Sequence, residues 1–197
     1  MGDNPGMTDR ALREHILDAA EACLLDNGAL GRIHGSIAAR AGVSRPTVYK
    51  YVGDQDEIIG ALLLREADRF LRMLAPLIES CDSLREWLEE FVVVSVGHIR
   101  DSPLFTRLLS DQPQFLLPWL TTHAEPNLRG ALSSMAPQLA HEHPGPGEAQ
   151  VAIVVEWAIR LAVSLVTTPS SLTSLATEED LRRHLKVLLD IPGRYRD

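Results

Sequence analysis

Between Asn27 and Gly53 the chain has no aspartate or glutamate, although its 197 residues carry 27 acidic against 19 basic side chains and a formal charge of −8. An acid-free island in an acidic protein points to a surface that meets negative charge. Cysteine is nearly as scarce: Cys23 and Cys81 are the only two, and both fall in helical apolar patterns. Two thiols without a pairing framework exclude a disulfide-stapled secreted domain and fit a reducing cytoplasm. Each reads as a small buried hydrophobe, with a redox switch as the alternative. No apolar run reaches the ~18 residues of a membrane span, and MGDNPGMTDR at the start is polar, so neither a membrane nor a secretory leader is expected. Strand-like alternation of useful length is also missing, which leaves an all-α protein.

Inside the acid-free stretch, Ile37, Ala38 and Ala41 put small apolar side chains on one helical face, and Gly42 supplies a tight turn. Val43 plugs the corner. Ser44 is placed to cap a second helix, with Pro46 in its first turn, where a missing N–H costs least. Val48 and Val52, four apart, point inward and leave Arg45, Thr47, Tyr49 and Lys50 outward as hydrogen-bond donors. This is a helix-turn-helix whose second helix suits a major groove, although short helix pairs with a glycine turn also occur in proteins that never touch nucleic acid. The charge divides accordingly: residues 1–54 hold 6 basic and 7 acidic groups, and the remainder 13 basic and 20 acidic. An acidic body with a locally basic head meets DNA only through that head.

The ordered set Ile16, Leu17, Ala19, Ala20, Asn27-Gly28, Ile37-Ala38, Ala41-Gly42-Val43-Ser44 and Thr47-Val48-Tyr49 resembles the TetR family of bacterial transcriptional regulators over about a quarter of the chain. The resemblance implies a three-helix DNA-binding domain, here residues 1–53, and an all-helical effector-binding and dimerisation domain, here 54–197. It also implies that Thr47, Tyr49 and Lys50 meet phosphates or base edges, with Arg45 as base reader. His34 and Ser36 would approach the DNA backbone, and Arg32, Ser44, Pro46 and Gln55 complete the candidate interface. Two positions depart from the family pattern. Gln55 stands where a lysine is usual and removes a charge, and Val52 replaces a common aromatic with a smaller plug.

Beyond the head, helical periods place a first helix over about Thr8–Asn27, stopped by Gly28, and a fourth from Asp54, whose capping box with Glu57 precedes Ile58, Ile59, Leu62, Leu63, Phe70, Leu71 and Leu74. A fifth helix opens on Ser83 and Glu86 and buries Leu84, Leu88, Phe91, Val92, Val96 and Ile99. Pro103, Pro113, Pro118 and Pro126 then break the pattern into short helices, followed by a helix over about Asn127–His141 and a Pro/Gly loop at 143–147. Prolines in a helical bundle prevent continuous packing, so a ligand pocket is expected along Leu88, Phe91, Val92, Ser95, His98, Phe105, Leu109, Phe115, Trp119, Met135 and Trp157; ordinary core is the competing account of each. The helix over Glu148–Val166 is too apolar for one face. With the last helix, capped by Thr177 and Asp180, it is assigned a homodimer interface through Val151, Val155, Ala158, Ala162, Leu165, Leu181, Leu185 and Leu188.

Catalytic signatures do not emerge: there is no strand-turn-helix nucleophile, no phosphate-cradling glycine loop and no pair of His at i and i+4 with a partnering Glu. His141-Glu142-His143 would send its two imidazoles apart on a helix, so solvated loop residues are the better reading and no metal or cofactor is expected. The expected function is a cytoplasmic, dimeric repressor that leaves a near-palindromic double-stranded operator when a small apolar or amphipathic effector binds. An activator or ligand-independent regulator is the alternative, and an interaction module or hydrolase on the same fold is the reading from another class.

Overall fold

A computed structural model of the chain describes residues 8–27, 33–168, 170 and 172–194. Among them the regular structure is entirely helical: α1 Asp9–Asn27, α2 Ile33–Ala41, α3 Arg45–Val52, α4 Gln55–Ser80, α5 Leu84–Asp101, α6 Pro103–Asp111, α7 Pro113–Leu120, α8 Glu125–Glu142, α9 Glu148–Thr167 and α10 Glu178–Arg194. The predicted caps explain where these helices start. Thr8 Oγ1 accepts the Ala11 N–H at 3.2 Å. Asp54 and Glu57 exchange backbone N–H bonds at 2.8 and 2.9 Å, the reciprocal capping box. Ser83 accepts from the Glu86 N–H at 3.2 Å, while the Glu86 carboxylate reaches back to Asp82 at 2.9 Å. Thr177 accepts from the Asp180 N–H at 3.1 Å, and its hydroxyl donates to the Asp180 carboxylate, which holds that acid below its ordinary range. The stop assigned to Gly28 lies outside the described residues.

Two compact units emerge, one from the described residues of Met1–Arg69 with Ser102–Leu117, the other from Phe70–Asp101 with Pro118–Asp197. The expected division at residue 53 is therefore too early. Arg65 on α4 explains part of the difference: its guanidinium bonds the carboxylates of Asp18 at 2.7 Å and Glu21 at 2.5 Å on α1, with Glu14 at 3.6 Å. The Arg65 side chain is only 14% exposed. α6 packs on α1 and buries Leu104, Phe105 and Leu108, and its N-cap Ser102 donates to Glu66 of α4 at 3.3 Å. The head thus takes in half of α4 and a segment that lies far along the sequence.

In the second unit α9 packs between α5 and α8, and α10 against α5. Its core joins Leu74, Ile78, Trp87, Phe91, Val92, Val96, Met135, Leu139, Val151, Val155, Ala158, Leu181 and Leu185. Trp87 is fully buried, whereas the expected Leu84, Leu88 and Ile99 are only half-buried, so the inward stripe of α5 is rotated toward Trp87 and Val93. The proline-rich stretch forms two short helices, with Pro103 and Pro113 each opening one. Pro126 breaks nothing: it sits in the first turn of α8, which needs no N–H there and so begins two residues before the expected start. Cys23 and Cys81 are both buried free thiols, and burial pushes the Cys81 thiol up. By length and composition α9 could cross a membrane, but its inner face is spent on α5 and α8.

Removing the Arg65 cation leaves three carboxylates of α1 facing an apolar stem. Arg65→Met should lower stability by about 1–3 kcal/mol, read from the urea midpoint at unchanged slope. An unchanged midpoint would show that the cluster contributes nothing net.

Candidate nucleic-acid interface

The recognition helix α3 is eight residues long and is held at both ends. Gly42 turns the chain at φ +67°, and the Val43 N–H closes the corner on the Ala38 carbonyl at 3.0 Å. Ser44 is extended and accepts from the Thr47 N–H at 3.2 Å, with its Oγ 2.7 Å from the Thr47 hydroxyl. Pro46 occupies the first turn, as expected. At the other end Gly53, at φ +78°, donates to the Tyr49 carbonyl at 3.1 Å. Val48 and Val52 are buried, so the smaller plug at 52 still closes the core. Ser36, Ser44, Arg45, Pro46, Tyr49 and Lys50 are exposed, and His34, Thr47 and Gln55 are partly covered. None of the described members of the predicted interface is buried. Arg32 lies outside the described residues.

Contacts across the head add detail that spacing could not show. The imidazole of His34 stacks on Tyr49 with ring centroids 3.9 Å apart and 5° between planes. Its Nε2 lies 3.0 Å from the Gly53 carbonyl oxygen; a carbonyl only accepts, so Nε2 carries the proton. The Arg45 guanidinium lies over Gly35, where a Cβ would come within 2.9 Å of a terminal nitrogen. Tyr51 donates to Asp9 at 2.7 Å, which raises its hydroxyl pKa, and Lys50 Nζ sits 4.8 Å above the Tyr51 ring. Arg40 pairs with Asp26 at 2.6 Å, which raises the guanidinium pKa. The stretch that is acid-free in sequence is therefore not acid-free in space, because Asp9 and Asp26 of α1 reach its edges.

The expected pocket residues divide between the two units. Phe91, Val92, Ser95 and Met135 are packed in the core of the second unit, with Leu88, His98 and Trp119 half-buried there. The Ser95 hydroxyl donates to the Phe91 carbonyl at 2.5 Å, and the His98 ring stacks on Phe70 at 4.8 Å. Phe105, Leu109 and Phe115 fall in the first unit. Trp157 is corrected outright: it is 65% exposed on α9 and faces no interior. A groove of about 360 Å³ opens instead over Ala75, Ile78, Glu79, Pro137, Gln138, His141 and Glu142, none of them expected.

The interface assignment is corrected in the same way. Val151, Val155, Ala158, Ala162, Leu181 and Leu185 are buried within a single chain and have no surface left for a partner. Leu165 is half-buried, and Leu188 remains exposed. Among the described residues, the large apolar side chains open to solvent on these helices are Ile153 and Trp157 of α9 and Val187 and Leu188 of α10. The all-round apolar helix buries the face that looked most regular in sequence within its own chain and leaves Ile153 and Trp157 outward.

Residues 83–186, more than half of the chain, match the family described as bacterial tetracyclin repressor, C-terminal domain. No curated protein matches the chain. Among solved structures, the TetR family repressor AlkX from Dietzia sp. strain DQ12-45-1b, implicated in biodegradation of n-alkanes, is similar at TM-score 0.66 and 19% identity, over 92% of this chain and 95% of that one. The multidrug binding protein EbrR, complexed with imidazole, is similar at TM-score 0.59 and 18% identity over 95% and 96%. The fatty acid degradation regulator FadR from Bacillus halodurans is similar at TM-score 0.55 and 15% identity over 88% and 93%. At these identities the likeness is one of fold. With its C-terminal half matched directly and its head folded as a doubly capped helix-turn-helix, the chain belongs to the TetR family of transcriptional regulators.

Proposed function

We propose that the protein is a cytoplasmic, homodimeric repressor that binds a near-palindromic operator through paired α3 helices. The carrying observation is the outward face of α3, where Arg45, Tyr49 and Lys50 are exposed while Val48 and Val52 anchor the helix. Arg45 reads a base edge, and Thr47, Lys50 and Ser36 meet the phosphate backbone. A second copy covers the exposed Ile153 and Trp157 of α9 and Val187 and Leu188 of α10, large apolar side chains that a single chain leaves in water. Two-fold pairing then presents two heads to successive major grooves.

Release follows from a small apolar or amphipathic effector in the second unit. The n-alkane, fatty-acid and multidrug associations carried by the names of three proteins of like fold support that ligand class. Chain crossings between the units at residues 69–70, 101–102 and 117–118 are the covalent routes by which repacking of one unit reaches the other. A hundredfold loss of operator affinity needs a ligand preference of about 2.7 kcal/mol for the non-binding state. The close packing of Phe91, Val92, Ser95 and Met135 favours a second reading, a regulator whose would-be cavity is filled by its own side chains.

Selection from random duplex DNA at moderate salt should enrich a two-fold symmetric motif; nothing above background would overturn operator binding. Arg45→Ala should then cost about 1–3 kcal/mol at the enriched site and relax one base position, and an unchanged isotherm would remove Arg45 from base reading. Trp157→Glu should shift the species seen in sedimentation from dimer to monomer, whereas a persisting dimer would place the interface elsewhere. A thermal-shift screen with alkanes, fatty acids and lipophilic cations separates the two effector readings. A melting point raised in the wild type and not in Phe91→Ala supports release by ligand, and no shift with any class supports the filled core.

A further inference from the structure

We infer that His34 is a positioning residue for Tyr49, fixing how the recognition helix offers that ring to DNA; the inference rests on the DNA-binding reading above. The His34 Nε2–H is spent on the Gly53 carbonyl at 3.0 Å. That N–H is therefore not offered to a phosphate, the role the family resemblance implied for this side chain. What it does instead is visible in two contacts made by one ring. Through Gly53, whose own N–H closes on the Tyr49 carbonyl at 3.1 Å, it secures the last turn of α3. Through its face, 3.9 Å from the Tyr49 ring and 5° from parallel, it selects one orientation of a side chain that would otherwise sample several rotamers.

Tyr49 is still 54% exposed. The stack engages one face of its ring and leaves the residue exposed overall. The immobilisation cost that DNA binding would impose on Tyr49 is thus met before DNA arrives, which favours the sequence that fits this one orientation. The neighbouring Gly35 makes room for the Arg45 guanidinium in the same turn of α2. The first turn of α2 therefore braces two outward side chains of α3.

The test is a double-mutant cycle on the full chain, with affinity for the selected duplex divided by affinity for random duplex as the readout. His34→Ala and Tyr49→Ala should each lower that ratio about three- to tenfold, the worth of one aromatic stack. The double variant should lower it no further than Tyr49→Ala alone. His34→Phe, which keeps a flat ring and loses the donor, should restore most of the ratio. Should His34→Ala fail to fold, His34→Gln keeps a donor for Gly53 without a ring, and the same loss is expected. A loss that falls equally on selected and random DNA, or that persists in the Tyr49→Ala background, overturns the inference. Wild-type protein that enriches no sequence overturns it together with operator binding, whereas enrichment by wild type with His34→Ala unchanged overturns it alone.

Discussion

A helix of eight residues cannot sustain itself in water, because nucleation costs more than so few hydrogen bonds return. α3 has that length, and the architecture of the head follows from the need to hold it. Ser44 and Gly53 satisfy its ends, Val48 and Val52 give it an anchored face, and side chains of α1 and α2 tie down what remains. Tyr51 reaches Asp9, and His34 reaches both Tyr49 and Gly53. The outward face stays exposed because so much is fastened behind and beside it. A recognition surface on a short helix is therefore a property of three helices together.

The second unit solves a different problem. α9 is apolar on nearly every side, and its inner face supplies Val151, Val155, Ala158 and Ala162 to the core. Small and β-branched residues at that spacing let α5 and α8 approach closely. The outer face then carries Ile153 and Trp157, large side chains that add nothing to a single chain. Exposed bulk beside buried small residues fits the proposed homodimer, in which a partner would cover the outer face.

Local chemistry was legible in the sequence and relational chemistry was not. Capping at Asp54–Glu57, Ser83–Glu86 and Thr177–Asp180 depends on residues three apart, and all three pairs are present. The helix-turn-helix, built on the Gly42 turn and the Ser44 cap, was readable for the same reason. Failures came where two residues far apart in sequence had to be known as neighbours. Arg65 meeting Asp18 and Glu21 moved the domain boundary, and the inward face of α9 could not be told from its outward one by period alone. Trp87 was within reach of pattern reasoning, since it lies four residues before Phe91 on the same face. The family resemblance covered the head and left the pocket without a motif, and the expected pocket residues divide between the two units.

Charge sets the last constraint. Four cations lie between Asn27 and Gly53, yet Arg40 is shared with Asp26 and Lys50 leans over the Tyr51 ring. Gln55 supplies no charge where the family usually places one. The four cations of this stretch alone thus fall short of the roughly six to ten phosphate contacts that give tight, strongly salt-dependent binding. The acidic remainder of the chain opposes any wider electrostatic footprint. In the proposed homodimer two heads on one duplex would make up the difference, the second engaging at the high effective concentration set by the first. An effector that changed the spacing of the two heads would remove that advantage without altering a contact within either head.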